Sequence, residues 1–206
     1  MGGKPTLIVA WVTSGVIRAE FVRSLLSLQV YDLQGWYFGG IMDQISPYID
    51  ENRNLLVKEM LDGTRIDWML MVDIDVAFNP LAVDHLADYR ERGETIIAGI
   101  YHQYSEEKGF VPLSFLENDD NHLYRSVKLK EAGYVDGAPA GFLLLNRKPL
   151  EEMRKVCGDN WFTRLPTPDG RYYGEDLSFC RRAKEHGYKI FAVPNLEIRH
   201  LKVVPI

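Results

Sequence analysis

Cysteine is scarce: the 206 residues hold only Cys157 and Cys180, in no CxxC pair and at no zinc-like spacing. No disulfide framework or zinc knuckle organises such a chain. A single disulfide stays open, but two reduced, packed thiols in a reducing compartment are the expectation. Long apolar runs are missing too. Stretches such as Trp68 to Val72 are far too short to cross a bilayer, and no charged-then-apolar leader opens the sequence, so a soluble, cytoplasmic protein without a transmembrane segment is expected. Nor is there a basic stripe. The 24 Lys and Arg are scattered among 29 Asp and Glu for a net charge of −5, which argues against a nucleic-acid partner.

With 46% apolar residues the chain can bury one substantial core. Length alone admits one large domain or two small ones. The absence of internal repeats, low-complexity tracts and linkers points to a single domain over 1–206. Thr6 to Val12 is a β-branched apolar run that reads as a buried strand, followed by a turn at Thr13-Ser14-Gly15 and a helix from Arg18 to Leu28 with apolar residues at helical spacing. A second strand is expected over Gly35 to Met42 and a second helix over Asn52 to Leu61. Asp67 to Val72 reads as a strand, Pro80 starts a helix through Arg92, and Thr95 to Ile100 is another strand.

The pattern between Tyr101 and Asp136 is irregular, with Asn118 to Asn121 as a polar turn between short candidate strands, and reads as an insertion serving a site. Regularity returns with a strand over Ala140 to Leu145, a helix from Pro149, a helix over Asp176 to His186 and strands at Lys189 to Val193 and Glu197 to His200. Alternating strands and helices predict an α/β fold, a mostly parallel sheet covered by helices on both faces. Ligands of such sheets bind outside the carboxyl ends of the strands.

Asp73 and Asp75 lie two apart where a buried strand ends, so in extended geometry both carboxylates project to one side. That pair suits a hard cation such as Mg²⁺ or Mn²⁺ bridging to a diphosphate, although acids also end strands simply to cap the next helix. Glu175-Asp176 follows Gly174. Asp176 can serve as the N-cap of its helix, and one carboxylate of the pair can serve as a general base. His200 by itself is more often a core or surface group than a ligand. Arg53, between Asn52 and Asn54, is either a solvated helix residue or a phosphate partner. The Gly137 to Gly141 loop is either a plain turn or a place where a ligand approaches the backbone. Tyr101, Tyr104, Trp161, Tyr172 and Tyr173 are either core or stacking platforms for sugars.

The order of these pieces carries more than any one of them. An opening strand-turn-helix unit leads to Asn52-Arg53-Asn54, then to Trp68-Met69-Leu70-Met71-Val72-Asp73-Ile74-Asp75 with Pro80 beyond. Gly141-Phe142-Leu143-Leu144-Leu145-Asn146-Arg147 follows, then Gly174-Glu175-Asp176-Leu177-Ser178-Phe179-Cys180-Arg181-Arg182-Ala183, Gly187-Tyr188-Lys189-Ile190 and His200. Most of the chain in this way resembles the GT-A superfamily of nucleotide-diphospho-sugar glycosyltransferases, especially family 2-like bacterial and phage enzymes.

The resemblance implies a hexosyltransferase-like enzyme that moves a sugar from a nucleotide-diphospho-sugar, UDP favoured over GDP, to an acceptor hydroxyl, with inversion favoured and retention left open by the sequence. Residues 1–100 would form the nucleotide-sugar half and 101–206 the acceptor half, with the insertion at 101–136. It implies Mn²⁺ or Mg²⁺ held by Asp73, Asp75 and His200, a catalytic pair in Asp176 and Glu175 with Asp176 as the base, and donor contacts from Thr13, Ser14, Arg18, Asp43, Arg53, Asp73, Ile74, Tyr101 and Gly141. Two departures stand out. The usual turn after the first strand is Trp11-Val12-Thr13-Ser14-Gly15 here, and the base-binding acid after the second strand is either Asp43 or Asp50. With only six residues after His200, no separate acceptor domain or membrane anchor is expected, so the acceptor falls to the insertion or to a partner chain, a second copy included.

Two other readings compete. Met69 to Val76 also fits the strand and D-x-D-x-[TV] of haloacid-dehalogenase-like phosphohydrolases, with Asp73 as nucleophile, although there the strand lies near the N-terminus and a further lysine is required. The third reading is a non-catalytic nucleotide-sugar-binding module.

Overall fold

The computed structural model describes residues 4–201. The chain runs β1 (Thr6–Thr13), α1 (Ala19–Val30), β2 (Tyr37–Ile45), α2 (Ile49–Gly63), β3 (Trp68–Val72), β4 (Val76–Phe78), α3 (Pro80–Glu91) and β5 (Ile96–Gly99). Then come β6 (His102–Ser105), β7 (Gly109–Pro112), β8 (Phe115–Glu117), β9 (Tyr124–Ser126), β10 (Gly133–Val135), β11 (Phe142–Asn146), α4 (Arg147–Cys157), α5 (Glu175–Glu185), β12 (Ile190–Val193) and β13 (Ile198–His200).

Seven strands form the central sheet in the order β10-β12-β5-β11-β3-β1-β2. β1 runs parallel to β2 and β3, and β12 parallel to β5, whereas β11 is antiparallel to both β3 and β5 and β10 is antiparallel to β12. Five strands therefore share one direction, and the α/β, mostly parallel architecture is as the pattern predicts. Two apolar layers cover the sheet. Phe21 and Leu28 of α1 and Val83 and Leu86 of α3 pack on one face, while Leu56 of α2, Leu150 of α4 and Phe179 of α5 pack on the other. β3 is buried at all five positions, as a central strand covered on both faces must be.

Several boundaries differ from expectation for local reasons. β2 starts at Tyr37 rather than Gly35 because the Gln34 and Gly35 amides donate to Asp84 and the Trp36 indole donates to the Val83 carbonyl, which ties that segment to α3. α4 starts at Arg147 because the Asn146 side chain accepts from the Lys148 amide and caps it. Gly174, not Asp176, is the N-cap of α5, so Asp176 lies inside the first turn. The Glu197–His200 strand does not join the central sheet: β13 pairs with β4, an element too short for periodicity to reveal, in a separate two-stranded ribbon. The irregular segment forms two hairpins, β6–β7 and β8–β9, and the edge strand β10. Cys157 and Cys180 are free. Among the described residues no helix is long and apolar enough to cross a membrane.

Candidate active site

The strand directions fix one rim. β3 ends at Val72 and hands over to Asp73 there, while β11 enters from the same side, so Phe142 pairs with Val72 and the Asp73 amide donates to the Gly141 carbonyl at 3.0 Å. Asp73 to Val76 is then a tight turn, closed by the Val76 amide donating to the Asp73 carbonyl at 2.9 Å. The two aspartates are thus separated by a turn, not strung along an extended strand, and the argument that both carboxylates project to one side does not hold.

They face different partners. Asp73 Oδ1 accepts from Arg53 Nη2 at 2.8 Å, and the same nitrogen lies 3.8 Å from Glu175 Oε1. Asp75 Oδ2 lies 3.2 Å from His200 Nε2. His200 comes to this position on the β4–β13 ribbon, where it pairs with Val76 and the Leu201 amide donates to the Asp75 carbonyl at 2.7 Å. The Tyr101 ring packs 5.3 Å from the His200 ring, centroid to centroid.

Arg53 is 3% exposed, and its Nη1 is buried without a partner. Burial draws its pKa down, but the charges of Asp73, Glu175 and Asp176 more than offset this and hold it above its ordinary value. The flanking asparagines brace it: Asn52 donates to the Ser46 carbonyl, and Asn54 accepts from the Phe162 amide and donates to Thr163. That brings the Phe162 ring to 5.8 Å from the guanidinium carbon. Sequence reasoning missed Asn54 and Phe162. Its available signal was the run of five polar residues, Asp50 to Asn54, at the start of an otherwise amphipathic helix.

Carboxylates crowd this arginine. Burial raises the Asp73 pKa, opposed by Arg53 and reinforced by Asp75 and Glu175. Burial, then the neighbouring Glu175 charge, pushes Asp176 up to about 6, against the pull of Arg53 and the Leu177 amide, which donates to Asp176 Oδ1 at 2.7 Å. Burial and the Asp73 charge drive the Tyr101 hydroxyl well above its usual value. An added Cβ at Gly141 would overlap the Tyr101 hydroxyl and come within 2.5 Å of Asp73 Oδ2. The space above this glycine is therefore taken by the protein's own groups, not left for a ligand.

The structure thus gathers Arg53, Asp73, Asp75, Tyr101, Gly141, Glu175, Asp176 and His200, with Ile74 in the turn. Thr13 ends β1, buried, and its hydroxyl accepts from the Gly15 amide, while Ser14 is exposed beside it. Arg18, at the start of α1, and Asp43, on β2, are exposed, and no contact ties them to the cluster among the described residues. Asp50 is half-buried in the first turn of α2. Of the aromatic candidates, Trp161 and Tyr173 are buried, the first donating to the Leu150 carbonyl and the second to the His122 carbonyl, whereas Tyr104 and Tyr172 are exposed. A cleft of about 580 Å³ between α1, β4 and the Leu196 to Arg199 segment contains none of the clustered residues.

A cation's fit can be judged from the donors. Among the described residues no three His, Cys, Asp or Glu side chains converge as a ligand set. Two do: ligands about 2.1 Å from one ion and at right angles to each other sit about 3 Å apart, and Asp75 Oδ2 and His200 Nε2 are 3.2 Å apart. Two protein ligands suit Mg²⁺ or Mn²⁺, which keep several waters and substrate oxygens, and do not suit a structural zinc. Asp73 is committed to Arg53 and is not the third donor in this arrangement. The charged groups that act most on Asp73 are Arg53, Asp75, Glu175 and His200. None is the lysine that a phosphohydrolase would require.

The sequence matches no family model and no curated protein. The fold does have solved counterparts. A197 from STIV superposes with a TM-score of 0.64 at 16% identity over 96% of this chain and 86% of that one. GalNAc-T7, solved with UDP, GalNAc and Mn²⁺, superposes with a TM-score of 0.63 at 11% identity over 95% of this chain, which spans 44% of GalNAc-T7. At these identities the likeness is one of fold, and the fold is GT-A-like.

Proposed function

We propose that the chain is a metal-dependent glycosyltransferase that moves a sugar from a nucleotide-diphospho-sugar to an acceptor hydroxyl with inversion. The observation that carries this reading is the Asp73–Val76 turn, which has a buried arginine on one side, a carboxylate–histidine pair on the other and the Glu175-Asp176 carboxylates within reach of the same arginine. Asp75 and His200 would hold the cation. When bound there, it neutralises charge on the diphosphate leaving group.

The chain's own residues supply the rest. Arg53 offers a buried, unpartnered Nη1 and, once Asp73 yields, Nη2 to the diphosphate oxygens; a guanidinium suits that fork-shaped contact. Asp176, with its pKa near 6, is ionised at neutral pH yet more basic than an ordinary carboxylate. It takes the proton of the acceptor hydroxyl as that oxygen bonds to the anomeric carbon and the bond to the diphosphate breaks. Glu175 keeps Asp176 basic by its charge. Tyr101 excludes water from the His200 side, Thr13 and Ser14 border the nucleotide, and the 101–136 segment meets the acceptor. The phosphohydrolase reading is weaker, because a carboxylate tied to a buried guanidinium is a poor nucleophile.

UDP-sugars are the first donors to test, since UDP and Mn²⁺ accompany GalNAc-T7. A thermal-shift series of UDP-, GDP-, ADP- and TDP-sugars with and without Mn²⁺ should give a metal-dependent rise with one nucleotide that Asp75→Ala abolishes. No rise with any donor, together with hydrolysis of a generic phosphoester, would transfer the assignment to the phosphohydrolase.

A further inference from the structure

Helix α1 and the edge strand β2 leave complementary surfaces bare. α1 turns Phe21 and Leu28 into the core against Val9 and Trp11 of β1, yet its solvent side carries Val22, Leu26 and Val30, exposed by 40%, 58% and 86%. Spaced four apart, they form one apolar stripe along the helix. On β2, Ile41 and Ile45 pair with Val9 and Thr13, so they lie on the side of the sheet that α1 covers. The two isoleucines are nonetheless 57% and 68% exposed. α2 covers β2 on the opposite face, through Met42. One strand of an otherwise doubly covered sheet thus lacks half of its cover, and the helix beside it shows an apolar back.

We infer that a second copy of this chain supplies the cover: α1 of each protomer lies on β2 of its partner about a two-fold axis. The arrangement is reciprocal, as an isologous interface must be. A helix laid on the bare β2 floor sits beside the resident α1, and the two-fold places the resident α1 under the partner's β2 in the same way. Each outward stripe then meets the partner's Ile41 and Ile45. With Val16 and Ile17, which precede α1 and are 78% and 41% exposed, these side chains offer roughly 700 Å² per chain, close to the ~800 Å² per partner of a stable complex and above the largest patch typical of a monomer.

Charge agrees. Arg23, next to the stripe on α1, and Asp43, between the two isoleucines on β2, are both exposed and without ion-pair partners among the described residues. Arg23 also lines the cleft beside β4, and the proposed contact would bring it within reach of the partner's Asp43. A net charge of −5 does not favour an anionic membrane as the alternative occupant.

Sedimentation velocity of the full chain is the test. The wild type should sediment as a species of twice 23.7 kDa. Leu26→Glu and Ile41→Glu should each halve that mass with an unchanged far-UV circular dichroism spectrum. Val156→Glu, at an equally bare apolar position on α4 (75% exposed), should leave it alone. A wild type that stays monomeric at its highest soluble concentration overturns the inference, whether or not it sediments with phosphatidylglycerol vesicles, and so does a dimer that survives both α1 and β2 substitutions.

Discussion

The two sides of the Asp73–Val76 turn are built on opposite plans. On the inner side, one arginine at 4% side-chain exposure faces Asp73 and Glu175, with Asp176 beyond. Negative charge there exceeds positive, and proton affinities rise. On the outer side, Asp75 and His200 form a single pair carried on a two-stranded ribbon outside the main sheet. The excess of negative charge on the inner side is what an added proton relieves. The outer side sets one carboxylate against one imidazole. Two carboxylates separated only by Ile74 therefore acquire different surroundings from their partners, not from their own chemistry.

The largest effect should come from removing the inner base. Asp176→Asn is expected to lower turnover by about 10²–10⁴-fold while leaving the donor-induced thermal shift intact. The same variant carries a signed stability prediction. Asp176 binds its proton up to about pH 6 when folded, against 3.8 for an ordinary aspartate. As pH rises from about 4 to 6, the unfolded chain releases this proton before the folded one, so Asp176 increasingly disfavours folding and does so fully above about 6. In the donor-free protein Asp176→Asn should therefore raise Tm near neutral pH and lose this advantage below about pH 4. The catalytic rate should rise through an apparent pKa near 6. A flat acid limb, or a Tm lower than wild type at neutral pH, would remove Asp176 from the role.

Arg53→Met comes next. It leaves Asp73 and Glu175 without their cation in a mostly buried place, and a loss of about 3 kcal/mol in a urea titration is expected, since breaking one partner of a buried pair is costly. Its double variant with Asp73→Asn should recover part of that loss. Failure to recover would mean that the pair is not the reason Arg53 is buried.

On the outer side, His200→Ala should weaken Mn²⁺ binding by roughly 10–100-fold in calorimetry while changing stability little. Equal stability losses from His200→Ala and Arg53→Met would erase the contrast between the two sides. Gly141→Ala should cost about 1–3 kcal/mol, because its Cβ must displace the Tyr101 hydroxyl and Asp73. Tyr101→Phe in the same background should restore part of it.

How much of this was legible in the sequence depended on how local the cause was. The run Trp68 to Val72 announces a buried central strand because burial on both faces leaves no polar position. The helices over Arg53 and Leu177 follow from apolar spacing. The gathering of Asp73, Glu175, Asp176 and His200 followed from the resemblance, not from spacing. What could not be read is set by contacts distant in sequence. The turn that separates Asp73 from Asp75 depends on the Gly141 carbonyl beyond it, and the start of β2 depends on Asp84. Trp161 and Tyr173 look like surface aromatics in loop segments, but the Leu150 and His122 carbonyls draw them inward. Arg147 gave no local hint that its guanidinium would gather the Met60, Leu61 and Thr64 carbonyls at the end of α2 and the Ile66 carbonyl just beyond. It satisfies groups that a helix terminus leaves open.

The β4–β13 ribbon has a consequence for the order in which the protein comes into being. The last strand of the central sheet, β12, is complete at Val193, and Arg53, Asp73, Glu175 and Asp176 are all translated before it. His200 meets Asp75 across 125 positions, on a ribbon outside the central sheet whose Ile198 packs into the apolar layer that covers it. A chain emerging from the ribosome thus holds Arg53, Asp73, Glu175 and Asp176 before His200 can meet Asp75.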